Sequence, residues 1–506
     1  MASIKLNIIA NFTGQVWVAL INFGLVPLYI KFLGIESYGL LGFFVSLQTL
    51  VSVLDLGLGT TANREVARHS GSANGTDGQL LFDILSSLQY VYFGFAVIIV
   101  VGFWGASKSL ATAWITAETI SSNVLQMAII IFGITVGLRW PLALYNGILR
   151  GAEKQVKLNM ITIAIASVKG IGSAILIIFF SRSLLTLLAW HLLCGFIEVL
   201  VTGSFAWKSV PKPLQNKRNF SYAALRSVFG FSATVAIISI LAVAIKQIDK
   251  VIISKLLPLT DVGYYNTALQ VYAGIQLFIT PISTALFPRL SSLISIGKNK
   301  CLSDVYHRAS KTISFSTSLV ASIIMFNSRD LLYLWTQSPV VAERAWMPLS
   351  VLACAAIFNS VMQASYVLQL ASGLQRIPLI NNIIAFVVFT PISYFLVLKL
   401  GIVGGAISWA AYNLIYFSIT PFFTHKYLLK EEIMDWYTKD TLPFIGLSLI
   451  VFGCIFLLSQ GHSLLSKFLL VVAGIIVYVI VSFMMDRSLK KQFKDLLCMP
   501  TQKQRG

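Results

Sequence analysis

Seven charged side chains stand inside long apolar stretches of the sequence. They are the cations Arg139, Lys169, Lys246 and Lys250 and the carboxylates Asp55, Glu198 and Asp249. A charge in hydrocarbon costs several kcal/mol, so such residues usually face a water-filled cavity or an opposite charge. We therefore predict that the cations line a binding cavity and that the carboxylates are candidates for ion coupling.

Uncharged polar residues extend this pattern along the first two predicted helices. Asn7, Asn11 and Gln15 recur every four residues, so they share one face of the first helix. Gln48 and Asp55 likewise share a face of the second helix. These stripes predict a wetted lumen beside both helices.

A structural role is the alternative for each of these residues. The cations and carboxylates could form ion pairs or hydrogen bonds between helices. Near the outer end of their helix, Lys246, Asp249 and Lys250 could instead extend their charges to the membrane interface. His191, one heptad before Glu198, is more typical of a packing residue than of a proton relay. The sequence leaves these alternatives open.

The composition requires a membrane around these residues. Of 506 residues, 57% are hydrophobic and 11% are charged, whereas soluble proteins carry about 25% charged residues. The net charge of +19 would suit nucleic-acid binding only on a water-exposed fold, and here the Lys and Arg residues lie in short connections between apolar stretches. The chain is predicted to be an all-α polytopic membrane protein with no nucleic-acid partner.

Apolar stretches of about the 20 residues that cross a bilayer recur about fourteen times. They are predicted at 7–30, 38–60, 84–106, 123–148, 158–180, 184–206, 227–254, 263–287, 312–328, 347–371, 378–398, 402–424, 442–459 and 464–485. The breaks at 181–183 and 399–401 are so short that twelve or thirteen spans are alternatives.

The distribution of basic residues sets the orientation. Of 38 Lys and Arg residues, 26 fall in segments predicted to lie inside and eight in segments predicted to lie outside. This asymmetry follows the positive-inside rule and predicts that both termini are cytoplasmic. The first apolar stretch lacks a small-residue cleavage site, so it is predicted to be a retained helix. The five cysteines have no paired spacing and predict no metal site.

Two patterns recur at nearly the same separation. Lys-x-Leu-x5-Gly at 31–39 reappears at 255–263, 224 residues later, and a second pattern at 148–159 reappears at 370–381, 222 residues later. The offset equals six spans, so the halves are predicted to share one orientation. They should be related by a pseudo-two-fold along the membrane normal, with a binding site between them.

The repeat divides the chain into five predicted segments. They are an N-terminal six-helix bundle at 1–206, a basic cytoplasmic linker at 207–226, a second six-helix bundle at 227–424, two additional transmembrane helices at 442–485, and a basic cytoplasmic tail at 486–506.

Catalytic signatures are missing from the sequence. It contains no G-x-x-x-x-G-K-[ST], H-E-x-x-H or G-x-S-x-G motif. The predicted loops are too short for an extramembrane active site. The sequence therefore favours a transporter over an enzyme.

Four stretches of the sequence resemble a known family. They are VPLYIKFLGIESYGLLGFF at 26–44, DLGLGTTANREVARH at 55–69, LYNGILRGAEKQVKLN at 144–159 and KQIDKVIISKLLPLTDVGYYNTA at 246–268. With the span plan and the duplication, the chain resembles the polysaccharide transporters of the multidrug/oligosaccharidyl-lipid/polysaccharide exporter superfamily, especially the Wzx-type O-antigen flippases.

The resemblance implies a fold and a substrate. Two six-helix bundles would face each other across a cleft that opens alternately to the two sides of a bacterial inner membrane. The substrate would be a polyprenyl-diphosphate-linked glycan for O-antigen or another surface polysaccharide, and Arg139 and Lys169 would attract its diphosphate or acidic sugars. The family implies H+ or Na+ as the coupling ion and no other cofactor. Candidate partners are membrane lipids, a polysaccharide polymerase and chain-length proteins.

Two other functions are alternatives. A multidrug exporter of the same superfamily would favour carboxylates and aromatics in its lumen, whereas this chain offers more cations there. A membrane-embedded glycan polymerase or ligase would need an essential Arg or His in a long outer loop, and the predicted outer loops are short.

Overall fold

The computed structural model describes residues 4–69, 76–210, 240–277, 279–374, 376–486 and 489. Within these ranges the chain is helical, and the only strand-like pairing described is an isolated bridge between Thr116 and Pro258. The predicted all-α class is confirmed. The predicted tail at 486–506 and most of the linker at 207–226 lie outside the described residues.

The chain forms two compact units, Met1–Asn266 and Thr267–Gly506. The first unit contains α1 (Ile4–Leu33), α2 (Ile35–Val51), α3 (Leu58–His69), α4 (Thr76–Ser109), α5 (Ser122–Arg139), α6 (Leu142–Gly151), α7 (Gln155–Ile175), α8 (Leu184–Trp207), α9 (240–256) and the start of α10 (Leu259–Leu277). The predicted bundle boundaries remain a prediction, because residues 211–239 lie outside the described part.

The second unit continues α10 and adds the remaining helices. They are α11 (Thr280–Ile296), α12 (Asn299–Thr336), α13 (Pro339–Ala371), α14 (Arg376–Leu428), α15 (Ile433–Asp435), α16 (Leu442–Leu458) and α17 (Leu464–Met485). The last helix has the predicted bounds.

Among the described residues, eleven helices are long and apolar enough to cross a membrane, or twelve if α10 and α11 form one bent span. Helix α14 has 53 residues and non-helical backbone at Gly401. At about 1.5 Å per residue it is more than twice as long as the bilayer core is thick. We therefore read it as two spans that meet at the predicted 399–401 break. The total of about fourteen spans remains a prediction.

The second predicted span, 38–60, is not one continuous helix. Helix α2 ends at Val51, and Leu56 and Gly57 have positive φ angles of 48° and 78°. Glycine adopts that left-handed conformation readily. The four residues Ser52–Asp55 continue α2 as a 3-10 helix, so Asp55 is the last residue of the candidate span that also carries Gln48.

The fourth predicted span, 123–148, also contains a break. Helix α5 ends at Arg139, and α6 begins after Pro141. Proline cannot donate the backbone hydrogen bond that a helix interior requires, but it is well suited to a helix start. The break places Arg139 at a helix end, where its long side chain can turn toward the neighbouring helix.

The two additional C-terminal helices pack on the second unit. Phe315 of α12 packs with Phe444, Phe452 and Tyr478 of α16 and α17 in one buried cluster. The Tyr478 hydroxyl donates to the Phe315 carbonyl oxygen at 3.0 Å. Both helices are thereby attached to α12.

The surface outside these cores is apolar. Exposed large side chains include Phe179, Phe180, Leu457, Leu465 and Met484, each at least 70% exposed. Large exposed apolar surfaces mark contact with lipid or with other proteins. Together with the candidate spans, this confirms a multi-pass membrane protein.

Candidate functional site

An ion pair links α5 to α8 in the first unit. The Arg139 guanidinium places Nη2 at 2.8 Å and Nε at 3.1 Å from the Glu198 carboxylate oxygen Oε2. The two side chains are 28% and 20% exposed, so the pair is mostly buried. Gly195 permits this approach, because a Cβ atom there would lie 2.9 Å from the Arg139 side chain.

Lys169 of α7 lies beside this pair. It is close enough to Arg139 and Glu198 for their charges to act on it. Within the described residues, however, its ammonium group makes no ion pair. We call Arg139, Lys169 and Glu198 the cationic cluster, since it holds two positive charges and one negative charge.

The backbone around Lys169 is held firmly. Its carbonyl oxygen accepts hydrogen bonds from Ser173 Oγ at 2.6 Å and from Trp190 Nε1 at 3.1 Å. The Trp190 indole occupies the space that a side chain at position 172 would fill, and Gly172 leaves that space open. The lysine is therefore presented from a fixed helix segment.

His191 contributes packing to this cluster. Its Nε2 lies 3.1 Å from Ser173 Oγ, and its hydrogen bonds within the described residues include none to Glu198. This arrangement matches the structural alternative for His191.

The polar stripe of α1 contacts the helix that carries Lys169. The Asn11 side chain donates to Gln155 Oε1 at 2.8 Å and accepts from Asn159 Nδ2 at 2.5 Å. Asn7 Oδ1 is buried and has no hydrogen-bond partner among the described residues. Asn11 therefore contacts α7, whereas Gln48 is exposed near the end of α2.

Asp55 is not a partner of the cationic cluster in this structure. Its carboxylate accepts a hydrogen bond from the Tyr92 hydroxyl and another from the Gly59 backbone N–H at 3.3 Å. It therefore caps the start of α3, where backbone N–H groups lack helical partners. Its role in ion coupling remains a prediction.

A second charged group lies on α9 and α10. Asp249 is 2% exposed and accepts a 2.6 Å hydrogen bond from the Tyr265 hydroxyl and a 3.2 Å bond from Lys250 Nζ. The same ammonium donates to the Lys246 carbonyl oxygen at 2.5 Å. Lys250 is thus held by protein groups, while the Lys246 side chain is exposed.

The repeat glycines at the ends of the 31–39 and 255–263 patterns meet each other. A Cβ atom on Gly39 would overlap the carbonyl oxygen of Leu259, and a Cβ atom on Gly263 would overlap the carbonyl oxygen of Ile35. A shift of 224 residues converts Gly39 into Gly263 and Ile35 into Leu259, so each contact is the symmetric copy of the other. Such reciprocity is what a two-fold axis produces. We call this contact the glycine crossing.

Sequence reasoning missed one buried carboxylate near the glycine crossing. Glu36 is 4% exposed and accepts hydrogen bonds from the backbone N–H groups of Glu118 and Thr119 at 2.5 and 2.8 Å. In the sequence it stands between two predicted spans, 7–30 and 38–60, where an exposed carboxylate is expected. The glycine-rich stretch around it was the available signal.

The loop that Glu36 holds also contacts the start of α10. Leu259 N–H donates to the Thr116 carbonyl oxygen at 2.9 Å, and Thr260 Oγ1 donates to Glu118 Oε2 at 2.9 Å. The loop that contains Thr116 and Glu118 therefore forms hydrogen bonds with the start of α10, next to the glycine crossing.

Comparison with known families identifies the chain. Residues 4–294, more than half of the chain, match the family described as "Polysaccharide biosynthesis protein". The chain belongs to this family. Residues 235–395 also match the MatE family, and the predicted superfamily is confirmed.

Two curated relatives support this membership. The chain is 22% identical over 411 residues to the "Putative O-antigen transporter" of Shigella flexneri, covering 81% of this chain and 94% of that protein. It is 26% identical over 327 residues to the "Probable low-salt glycan biosynthesis flippase Agl15" of Haloferax volcanii, covering 61% and 64% of the two chains.

Solved structures share the fold. The inward closed conformation of the lipid II flippase MurJ aligns with a TM-score of 0.73 and 17% identity, covering 96% of this chain and 99% of that one. An inward-facing multidrug resistance MATE transporter aligns with a TM-score of 0.67 and 16% identity, covering 86% and 96%. At such low sequence identity, the similarity to these two structures shows a shared fold only.

The family match contains all of the charged groups described above. The cationic cluster, the Asp249 group and the glycine crossing lie between residues 4 and 294. Within the described part of the chain, no group of three or more His, Cys, Asp or Glu residues is placed to hold a metal ion. The cationic cluster holds two cations and one carboxylate, so its net charge is positive.

Proposed function

We propose that this family member flips polyprenyl-diphosphate-linked oligosaccharide repeat units from the cytoplasmic to the outer leaflet of a bacterial inner membrane. The glycan would serve O-antigen or another surface polysaccharide. The protein would act by alternating access and as a transporter rather than as an enzyme.

One observation carries this proposal. Lys169 is a cation in a membrane helix, with its backbone fixed by Trp190 and Ser173 and its ammonium without an ion-pair partner among the described residues. Because an unpaired charge is costly in a membrane, its retention indicates a function. Its charge and that of Arg139 together exceed the single negative charge of Glu198, which favours an anion such as a diphosphate.

The relatives support the same substrate class. One is named an O-antigen transporter and another a glycan biosynthesis flippase. We extend those names to this chain as a proposal, with H+ or Na+ as the coupling ion and Asp249, Asp55 and Glu198 as the candidate coupling carboxylates.

The proposal is tested by transport in liposomes. The purified protein is reconstituted with the polyprenyl-diphosphate-linked oligosaccharide extracted from the source bacterium, and a membrane-impermeant glycosidase reports which leaflet holds the sugar. We expect the wild-type protein to equilibrate the glycolipid across the bilayer. Lys169→Ala should abolish this movement, and Lys399→Ala, which removes an exposed lysine of α14, should retain it.

Two results would contradict the proposal. One is a wild-type protein that leaves the glycolipid in its original leaflet. The other is the same protein expelling amphipathic cations from the liposomes, which would indicate the multidrug exporter alternative.

A further inference from the structure

The second unit contains a group of neutral polar and aromatic side chains. We call it the aromatic–amide cluster. It comprises Tyr272 and Gln276 of α10, Asn359 of α13, and Trp409 and Asn413 of α14.

Hydrogen bonds connect these residues across three helices. Asn359 Nδ2 donates to Asn413 Oδ1 at 2.7 Å, and Gln276 Nε2 donates to Asn359 Oδ1 at 3.4 Å. Trp409 Nε1 donates to the Tyr272 hydroxyl at 3.1 Å. Trp409 and Asn413 are buried, whereas the other three are partly exposed. The cluster therefore has a buried base, formed by Trp409 and Asn413, and a partly exposed edge, formed by the other three residues.

Three tyrosines continue this edge. The rings of Tyr412 and Tyr416 stack with centroids 6.0 Å apart and planes 17° apart, and Tyr366 of α13 lies near Tyr416. All three are partly exposed, and their hydroxyl groups make no hydrogen bond to another described residue. We call them the tyrosine edge.

A purely structural role does not account for the tyrosine edge. Side chains that only join helices in a membrane pair their polar groups with each other. A hydroxyl without a partner at membrane depth is unfavourable unless water or a ligand reaches it. Three such hydroxyls beside a hydrogen-bonded base indicate a surface that contacts something polar.

The chemistry of the cluster selects a neutral ligand. Helix α13 carries no Asp, Glu, Lys or Arg from 345 to 371, and α14 carries none from 377 to 398 or from 400 to 425. Amide groups offer both donors and acceptors, and tyrosine hydroxyls do the same. Aromatic rings supply flat apolar faces with a polar handle. Sugar rings match this set, because they expose hydroxyl groups at their edges and C–H groups on their faces.

We propose that the aromatic–amide cluster and the tyrosine edge bind the uncharged sugars of the lipid-linked oligosaccharide. The diphosphate stays assigned to the cationic cluster, as in the proposed function. This inference rests on the proposed function and adds a separate site for the glycan.

The experiment compares two ligands on the purified full-length protein. One is the polyprenyl-diphosphate-linked oligosaccharide extracted from the source bacterium. The other is the same lipid diphosphate after enzymatic removal of its sugars. We expect the wild-type protein to bind the first more tightly than the second.

The test variant is the triple substitution Tyr366→Phe, Tyr412→Phe and Tyr416→Phe. It removes three hydroxyls while keeping the rings, so the fold should survive, as thermal unfolding in detergent would verify. We expect its affinity for the glycolipid to fall about tenfold, since each lost hydrogen bond contributes modestly. Its affinity for the trimmed lipid should stay unchanged.

Two controls separate the sites. Tyr394→Phe makes the same change at an exposed tyrosine of α14 outside the tyrosine edge, and it should alter neither affinity. Lys169→Ala should lower the affinity for both ligands.

The outcomes distinguish the two proposals. A wild-type protein that binds neither ligand contradicts the proposed function together with this inference. Equal binding of both ligands by the wild-type protein contradicts the glycan site alone. So does a triple variant that keeps full affinity for the glycolipid or loses affinity for both ligands equally.

Discussion

The cationic cluster of the first unit and the aromatic–amide cluster of the second unit differ in charge. The first unit buries the Arg139–Glu198 pair with Lys169 beside it, and a second charged group around Asp249. The second unit, at α13 and α14, instead buries amides such as Asn413 and aromatics such as Trp409. Charged groups of the second unit lie elsewhere, and among them Asp440 pairs with His307 and Lys311. The cationic cluster and the aromatic–amide cluster therefore offer different chemistry, one electrostatic and one based on neutral hydrogen bonds. The difference shows that charge and neutral polarity lie on different helices of one chain, so the two can be disrupted separately.

The largest effect that this comparison predicts is on Arg139. Arg139→Ala leaves Glu198 mostly buried without its partner, which should reduce the free energy of unfolding by about 3–5 kcal/mol. Thermal unfolding in detergent, together with membrane abundance, measures this loss. The double variant Arg139→Ala with Glu198→Gln should recover most of it. A stable single variant would show that the first unit does not depend on its ion pair.

The glycine crossing predicts an intermediate effect with a symmetric signature. Gly39→Ala and Gly263→Ala each place a Cβ atom against a backbone carbonyl oxygen, and such overpacking costs about 1–3 kcal/mol. Because the two contacts are symmetric copies, we expect both variants to lose similar stability and transport. Gly94→Ala is the matched control, since nothing lies within 4 Å of its added Cβ. Very unequal effects would argue against the local two-fold.

The neutral pair of the second unit should tolerate disruption better than the ion pair. Asn359→Ala leaves the buried Asn413 amide oxygen without its donor, a loss of about 1–3 kcal/mol in the free energy of unfolding. Asn359→Ala combined with Asn413→Ala should be less destabilising than the sum of the two single changes. Denaturation of the wild-type protein, the two single variants and the double variant gives the coupling free energy between the two asparagines. If Asn359→Ala lowered the free energy of unfolding as much as Arg139→Ala does, the neutral cluster and the cationic cluster would not differ in their contribution to stability.

The smallest effect is expected for a charge pair away from both clusters. Arg329 Nη2 lies 2.5 Å from Glu343 Oε2, with side chains 67% and 55% exposed. Exposed pairs contribute about 0–1 kcal/mol. Arg329→Ala should therefore leave thermal unfolding and glycolipid transport near wild-type values. A large loss would show that charge matters outside the first unit's interior as well.

The sequence predicted the all-α class and the multi-pass membrane character, because span length and apolar composition are strong signals. The bounds of α17 and the break at Gly401 were predicted to within a residue. The breaks after α2 and α5 were missed, since the apolar stretch continues through both. A backbone turn at Gly57 or Pro141 does not change hydropathy.

The candidate site was predicted in part. The cost of burying charge singled out Arg139, Lys169 and Glu198 in the sequence, and the structure brings these three together. Of the three carboxylates considered, Glu198 pairs with Arg139. Asp55 lies in the second span, as predicted, but the sequence did not show that the last four residues of that span form a 3-10 helix. The aromatic–amide cluster could not be predicted from the sequence. Single neutral residues such as Asn359 are common in membrane helices, and only the fold shows that residues of α10, α13 and α14 meet.

The central claim is that Lys169 binds the substrate rather than stabilising the fold. One measurement tests it most directly: the affinity of purified Lys169→Ala and Lys169→Arg for the polyprenyl-diphosphate-linked oligosaccharide, taken together with their thermal unfolding. Because Lys169 has no ion-pair partner among the described residues, we predict that both variants unfold like wild type. Lys169→Ala should lose binding, and Lys169→Arg should keep part of it. A Lys169→Ala protein that unfolds early, or that binds the glycolipid with wild-type affinity, would contradict the account.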